Sequence, residues 1–241
     1  MRIRFWGVRG SIPVPGPSTL IYGGNTPCLD ILTAAGQLLI IDAGTGIRSL
    51  GQVLQEKNSG RVEAKIFLSH THWDHIQGLP FFAPLANRRN KIHVYGRRRL
   101  GKQLEEILAG QFIEPYLPFA YRSLDATLRV QEVEAGEIIA VGEGTTVTVA
   151  DLNHPGGALG FRIEDHGLVF VYCCDTGHDL NSVNEDIVTL ASGADLLVHD
   201  AHFPSQELSR KFSDWGHSSW YDAATIANVA GAKALGLFHY A

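Results

Sequence analysis

Short apolar runs rich in Val, Ile and Leu recur along the chain at 2–8, 37–42, 64–69, 91–95, 128–133, 144–152, 158–164, 168–174, 194–199 and 233–238, punctuated by glycine. Runs of this length bounded by turn residues read as strands. Stretches with helical spacing lie between them at 46–57, 75–87, 97–109, 179–191 and 218–230, the last opening with Ser219 and Asp222 in capping-box spacing. Strand runs mix with strand–helix alternation in both halves. That order predicts an α/β fold, a four-layer αββα sandwich with two mixed sheets face to face and helices outside.

The segment 110–127, "GQFIEPYLPFAYRSLDAT", is rich in aromatics and proline and has no period, which predicts a long structured loop of the kind that covers sites. No Gly/Ser or Pro linker, fixed-period repeat or low-complexity tract divides the chain. With 45% hydrophobic residues in 241, there is material for a substantial core, and residues 1–241 are expected to form one domain.

A formal charge of −5 gives no global attraction to nucleic acid or an anionic membrane, so an anionic ligand must be drawn in locally. The opening "MRIRFWGVRGSIP" carries Arg2, Arg4 and Arg9 with no apolar stretch between them, and reads as a strand rather than a signal peptide. No run approaches the roughly eighteen apolar residues that span a bilayer. A cytoplasmic location without membrane attachment is the expectation. The chain stops two residues after His239, which reads either as a shortened end or as a very compact one. Three cysteines, two of them the neighbours Cys173 and Cys174, imply neither a disulfide framework nor a zinc site of spaced Cys pairs, and read as buried reduced thiols.

The densest chemistry lies in "FLSHTHWDHIQG", residues 67–78. Side chains two apart on an extended segment share a face, so His70 and His72 can converge on one ion, and Asp74 and His75 can face a second once the chain turns. A single histidine is more often a satisfied core residue than a ligand. The H-x-H-x-D-H spacing reverses that reading, provided that partners exist elsewhere. His154 follows "TTVTVADLN", Asp175 ends "LVFVYCCD" and His239 falls in "ALGLFHY", each where a strand run gives way to a loop.

Taken together, "HTHWDH", "NHPGGALGFRI", "CCDTG" and "GLFHY" resemble, in order and context, the metallo-β-lactamase superfamily of metal-dependent hydrolases over nearly the whole chain. The resemblance implies one ion held by His70, His72 and His154, another held by Asp74, His75 and His239, and Asp175 bridging them. "FWGVRGSIPVPG", "YGGNTPC", "DAHF" and "GHSSW" are similar to the phosphodiesterase branch, which includes tRNA 3′-processing endonucleases, cyclic-phosphate phosphodiesterases and cyclic nucleotide phosphodiesterases.

Two divalent ions about 3.5–4 Å apart lower the pKa of a shared water from 15.7 to near neutrality, so a bridging hydroxide is the implied nucleophile. If both ions are 2+, two carboxylates and a hydroxide leave an excess positive charge for a phosphodiester. Asp74 can also orient the nucleophile or hold its proton. His217 stands before a predicted helix start, where it can protonate the leaving oxygen or hydrogen-bond a phosphoryl oxygen, or simply cap the helix. A helix start favours neutral imidazole and a bound phosphate favours imidazolium, so the direction of its pKa shift stays open here. Histidines and aspartates without thiolate suit zinc, manganese or iron, with zinc the first expectation and manganese the second.

Several residues carry two readings. Asp42 in "IIDAGTG" and Asp200 in "LLVHDAHF" can each hydrogen-bond the outer N–H of a ligand histidine or serve as turn residues. Asn25 can reach substrate or do ordinary turn chemistry. His199 and His202 read as core or rim, and His93, His166 and His178 fall in no pattern. Arg88, Arg89, Arg97, Arg98 and Arg99 read as a solvated face. Phe112, Tyr116, Phe119 and Tyr121 can form a stacking wall for a base or a homodimer contact. Trp73 has no assigned role.

The expected activity is hydrolysis of a small or cyclic phosphodiester, such as a cyclic nucleotide or a ribose cyclic phosphate. Nucleic acid is not an expected partner, because the chain lacks the long basic or Gly/Pro-rich insertion that would grip tRNA. The alternatives are thioesterase or lactonase chemistry, an RNA 3′-processing nuclease, and a non-catalytic metal-binding module. Di-iron redox chemistry would call for an electron-carrier domain.

Overall fold

A computed structural model of the chain describes residues 1–57, 61–178 and 184–240. It divides into two compact units, Arg2–Val133 and Glu134–Ala241 with Met1.

In the N-terminal unit, β1 (Arg2–Gly7), β2 (Cys28–Leu32), β3 (Leu38–Ile41), β4 (Glu63–Phe67), β5 (Lys91–Gly96) and β6 (Thr127–Glu132) form one sheet in that order. β1, β2 and β3 pair antiparallel, and β3 through β6 pair parallel. β3 is apolar throughout and largely buried, as a central strand covered on both faces must be. α1 (Gly46–Lys57) places Ile47, Leu50 and Leu54 at helical spacing in the same core as Ile40, Ile66 and Val94. Two short helices follow, α2 (Trp73–Ile76) and α3 (Leu104–Ala109).

The C-terminal unit holds α4 (Glu185–Ala191), α5 (Gln206–Lys211), α6 (Trp220–Val229) and the strands β7 (Ile138–Gly142), β8 (Thr145–Leu152), β9 (Ala158–Asp165), β10 (Leu168–Cys173), β11 (Leu196–Asp200) and β12 (Leu235–Phe238). Its sheet runs β12-β11-β10-β9-β8-β7, with β10, β11 and β12 parallel and the other pairs antiparallel. β8 alternates buried and half-buried positions over most of its length. Ile187 and Leu190 of α4 and Ile226 of α6 pack on Val171 and Leu197 of the sheet. Two mixed sheets with helices are the predicted architecture, and each sheet has six strands.

The elements that differ have physical reasons. β2 carries Asp30 in mid-run, which hides its apolar pattern. Arg4 donates to both Asp30 oxygens at 2.9 and 3.0 Å and Trp6 Nε1 donates at 2.6 Å, which makes that buried carboxylate tolerable. β7 is a short edge strand with a register shift between Ala140 and Gly142. The helix predicted at 75–87 is only α2 followed by 3₁₀ turns at Leu79–Phe81 and Ala83–Ala86, because Pro80 and Pro84 interrupt it. The helix predicted at 97–109 begins at Leu104, after left-handed backbone at Leu100 and Gly101. Of the stretch 179–191, residues 179–183 lie outside the described residues and the helix spans Glu185–Ala191. α5 has no counterpart in the sequence reading.

The three cysteines are buried and reduced, and burial pushes Cys28 up and Cys173 up to about 12. No helix among the described residues is long and apolar enough to cross a membrane.

The capping box at α6 is formed: Ser219 caps Asp222 N–H, and the Asp222 carboxylate accepts from the Ser219 N–H at 2.8 Å. Ser219→Ala is expected to cost about 1 kcal/mol of stability in urea unfolding. Partial burial pushes the Asp222 carboxyl up, but the hydrogen bonds from Ser219 and Gln206, with His178 nearby, hold it below its ordinary value. A depressed folded pKa stabilises above the unfolded value of about 3.9, and that contribution is lost as pH falls through the folded value. Asp222→Asn should therefore flatten the acid side of the stability profile.

Candidate functional site

Parallel strands present their carboxyl ends on one edge of a sheet, and both units use that edge for chemistry. In the N-terminal unit, Asp42 follows β3 and Ser69 lies two residues beyond β4, its parallel neighbour. Asp42 is fully buried and accepts from the Ser69 N–H at 2.8 Å. Its other oxygen lies 2.8 Å from His75 Nδ1. A buried carboxylate at that distance places the ring proton on Nδ1, so the His75 lone pair lies on Nε2. Asp74 Oδ2 stands 3.5 Å from that Nε2 and accepts from the Ser11 N–H at 2.8 Å. The rings of His70 and His75 are 4.2 Å apart and those of His70 and His72 are 4.5 Å apart. His70, His72, Asp74 and His75 are thus gathered together. The strand ends at Phe67, so His72 caps α2 rather than extending a strand, and Asp74 and His75 lie within α2. Gly44 is required here, because a Cβ on it would lie 2.3 Å from the Asp74 carbonyl oxygen.

His72 is the exception in this cluster, because Arg99 Nη2 lies 2.8 Å from its Nε2. An ion held on that nitrogen requires the guanidinium to give way. The basic run is accordingly not one solvated face: Arg98 pairs with Glu132 at 2.6 Å and Arg99 turns to His72, whereas Arg88 and Arg89 are exposed as expected.

In the C-terminal unit, His154 follows β8, Asp175 follows β10, Asp200 ends β11 and His239 follows β12. One oxygen of Asp175 lies 3.5 Å from His154 Nε2 and the other lies 3.3 Å from His239 Nε2. Two ligand atoms on one tetrahedral zinc, each about 2.0–2.2 Å from it, are about 3.3–3.6 Å apart. The Asp175 contacts and the His75–Asp74 contact match that edge. His154 Nδ1 donates to the Gly216 carbonyl at 3.0 Å, which again leaves the lone pair on Nε2. Gly216 has φ 69, and a Cβ on it would lie 2.9 Å from His154 Nδ1.

Asp200 binds His217 Nδ1 at 2.7 Å and accepts from the Ser218 and His202 N–H groups at 3.1 and 2.9 Å. Burial pushes the Asp200 carboxyl up, and the His217 hydrogen bond and nearby His239 outweigh it, holding it below its ordinary value. His202 is the residue that sequence reasoning set aside. Its ring stacks on His217 at 4.4 Å and its Nδ1 donates to the His239 carbonyl at 3.0 Å. Burial, with His217 and His239 beside it, pushes His202 down. Ligand-type atoms of His202, His217 and His239 lie within 4.8 Å of one another, as do those of Asp175, Asp200, His217 and His239. The H-D-A-H order around Asp200 was the available signal. His199 lies in the core and is pushed down by burial.

Asn25 holds a crossing of loops: its carbonyl accepts from the Val8 and Arg9 N–H groups and its side chain accepts from Thr45 at 3.1 Å. The four aromatics divide: Tyr116 and Phe119 are exposed, whereas Phe112 is buried. Phe112 is buried in the core, edge-on to Phe119 and Tyr121, and burial, with Glu105 alongside, pushes Tyr121 up to about 12.

Asp42→Asn keeps a residue that tolerates the left-handed φ of 58 but weakens the acceptor on His75. It is expected to lower metal affinity about 10–100-fold in chelator competition.

Among known proteins, the chain is 27% identical to Ribonuclease BN of Cronobacter sakazakii over 252 residues, covering 84% of this chain and 78% of that one. The fold is that of the human short-form tRNase Z, with TM-score 0.73 at 22% identity over 100% of this chain and 93% of that one. A diphosphatase from the PhnP family superposes with TM-score 0.71 at 21% identity, over 99% and 86% of the two chains. The beta-lactamase superfamily domain matches residues 38–240, a span that contains every histidine and aspartate assigned above to the two clusters. By that match, the chain belongs to the beta-lactamase superfamily.

Proposed function

We infer that this chain is a metal-dependent hydrolase acting on phosphodiester bonds, that residues 1–241 work as one hydrolase domain, and that its substrate is a small or cyclic phosphodiester. The observation that carries the reading is Asp175, whose two oxygens stand beside two different imidazole nitrogens, His154 Nε2 and His239 Nε2. A carboxylate so placed suits two ions rather than one. The family pattern assigns His70, His72 and His154 to one ion and Asp74, His75 and His239 to the other, with Asp175 shared. Zinc is the proposed metal and manganese the alternative. Bound there, the ions supply a nucleophilic water at neutral pH and positive charge for the phosphoryl group.

The chain's own residues do the rest. Asp42 and the Gly216 carbonyl fix the tautomers of His75 and His154. Asp74, held by the Ser11 N–H, orients the attacking water and takes its proton. Asp200 sets the His217 ring, whose Nε2 delivers a proton to the leaving oxygen.

RNA 3′ processing is the second reading, favoured by the match to Ribonuclease BN. The deciding assay chelates the protein, reloads it with zinc or manganese, and measures turnover of bis(p-nitrophenyl) phosphate, 2′,3′- and 3′,5′-cyclic nucleotides and a 3′-extended tRNA, with thioester and lactone controls. Turnover of the diesters is expected. Activity confined to the thioester or lactone sinks the phosphodiesterase reading, and activity confined to tRNA replaces the small substrate with RNA.

A further inference from the structure

Trp73 has no part in the chemistry above, although it stands inside the H-x-H-x-D-H motif and is 66% exposed. It lines a cleft of about 450 Å³ within the N-terminal unit, together with His72, Arg99, Lys102, Glu106 and Gln111. That volume falls among small-ligand sites. The cleft shares His72 with the metal cluster, so it opens beside the reacting centre proposed above.

Gln111 is the second unusual feature. It is buried, 5% exposed, and neither its Nε2 nor its Oε1 has a hydrogen-bond partner among the described residues. An amide that gives up water on both atoms without replacement is costly, and such groups in native proteins point to something that completes them. A planar ligand edge with a neighbouring donor and acceptor does so once the side chain turns its amide into the cleft, as when glutamine pairs with the N6 and N7 edge of adenine.

The charge of the cleft is consistent with such a ligand. Arg99 and Lys102 face one acid, Glu106, which is engaged in accepting the Gln103 N–H at 3.0 Å. One positive charge remains for a phosphate. Trp73 offers an exposed indole face, which stacks on any base, whereas Phe112 and Tyr121 are packed into the protein.

We propose that this cleft is a base-binding subsite: the substrate is a nucleoside phosphodiester whose base stacks on Trp73 and pairs its edge with the Gln111 amide, with its phosphate side toward Arg99 and Lys102. The proposal rests on the phosphodiester reading and narrows it to a substrate class. It also makes Trp73 and Gln111 specificity residues rather than catalytic ones.

The test is calorimetric titration of the metal-loaded full chain with adenosine 5′-monophosphate and with ribose 5-phosphate, which carries the same anion without the base. Adenosine monophosphate should bind about 5-fold tighter or more, the low end of a stacked base. Trp73→Ala and Gln111→Leu should each abolish most of that preference and leave ribose 5-phosphate binding unchanged. Equal affinities in the wild type, or a preference that survives Trp73→Ala, overturn the proposal. Trp73 is exposed, so the test stands even where Gln111→Leu disturbs folding. Turnover of bis(p-nitrophenyl) phosphate separates the two levels. Turnover without base preference removes the subsite alone. A base preference lost in Trp73→Ala without any diester turnover keeps the subsite and removes the hydrolase reading beneath it.

Discussion

Asp175→Asn is expected to lower kcat on phosphodiesters on the order of 10²–10³-fold, the size of loss that follows removal of one group stabilising a transition state. It should also lower bound metal to no more than one ion per chain after dialysis. The reason is specific to this carboxylate. Its two oxygens address His154 Nε2 at 3.5 Å and His239 Nε2 at 3.3 Å, and an amide replaces one of them with an NH₂ that has no lone pair to give. Asparagine tolerates the left-handed backbone at this position, so the loss is chemical rather than a failure to fold. Elemental analysis and thermal unfolding on the same sample separate these effects. A variant that keeps both ions and full turnover would show that Asp175 is not shared.

His217→Gln should act on the leaving group. Diesters that expel a nucleoside alkoxide are expected to slow by about 10²–10⁴-fold, the usual contribution of a positioned general acid. Diesters that expel p-nitrophenolate need no proton and should slow far less. A plot of rate against leaving-group pKa therefore steepens in the variant. Asp200→Asn should shift the plot in the same direction by a smaller amount, since Asp200 acts on the leaving group through His217 Nδ1, at 2.7 Å. Equal slowing of all leaving groups would instead make His217 a ligand or a substrate-binding group.

How much of this was legible in the sequence depended on whether a signal was periodic or positional. The strands from β3 to β5 and from β8 to β12 announced themselves because buried parallel strands are continuous apolar runs and half-buried ones alternate. β2 escaped because Asp30 interrupts its run, and its partners Arg4 and Trp6 lie on another strand. The 75–87 stretch misled because helical spacing was given more weight than Pro80 and Pro84. In the site, the motif spacing and strand-end positions drew attention to the proposed ligand set, and the partners of Asp42 and Asp200 needed coordinates. His202 read as core or rim because the seven proposed ligands left it no place, and its stacking on His217 needed coordinates. The cleft of Trp73 and Gln111 had no sequence signal, because thirty-eight positions separate the two residues.

Asp42, Asp175 and His239 share one backbone property: φ values of 58, 58 and 62, in the left-handed region, immediately after or two residues beyond a strand. An alanine scan is therefore the wrong instrument at these positions. Alanine keeps the penalty of that conformation, roughly 1–2 kcal/mol per residue, while discarding the side-chain contacts that offset it. Lost stability and lost metal would then arrive in a single number. Glycine removes the penalty along with the side chain, so the difference between the glycine and alanine variants at each position measures how much of the fold's stability is held as tension in aiming these side chains.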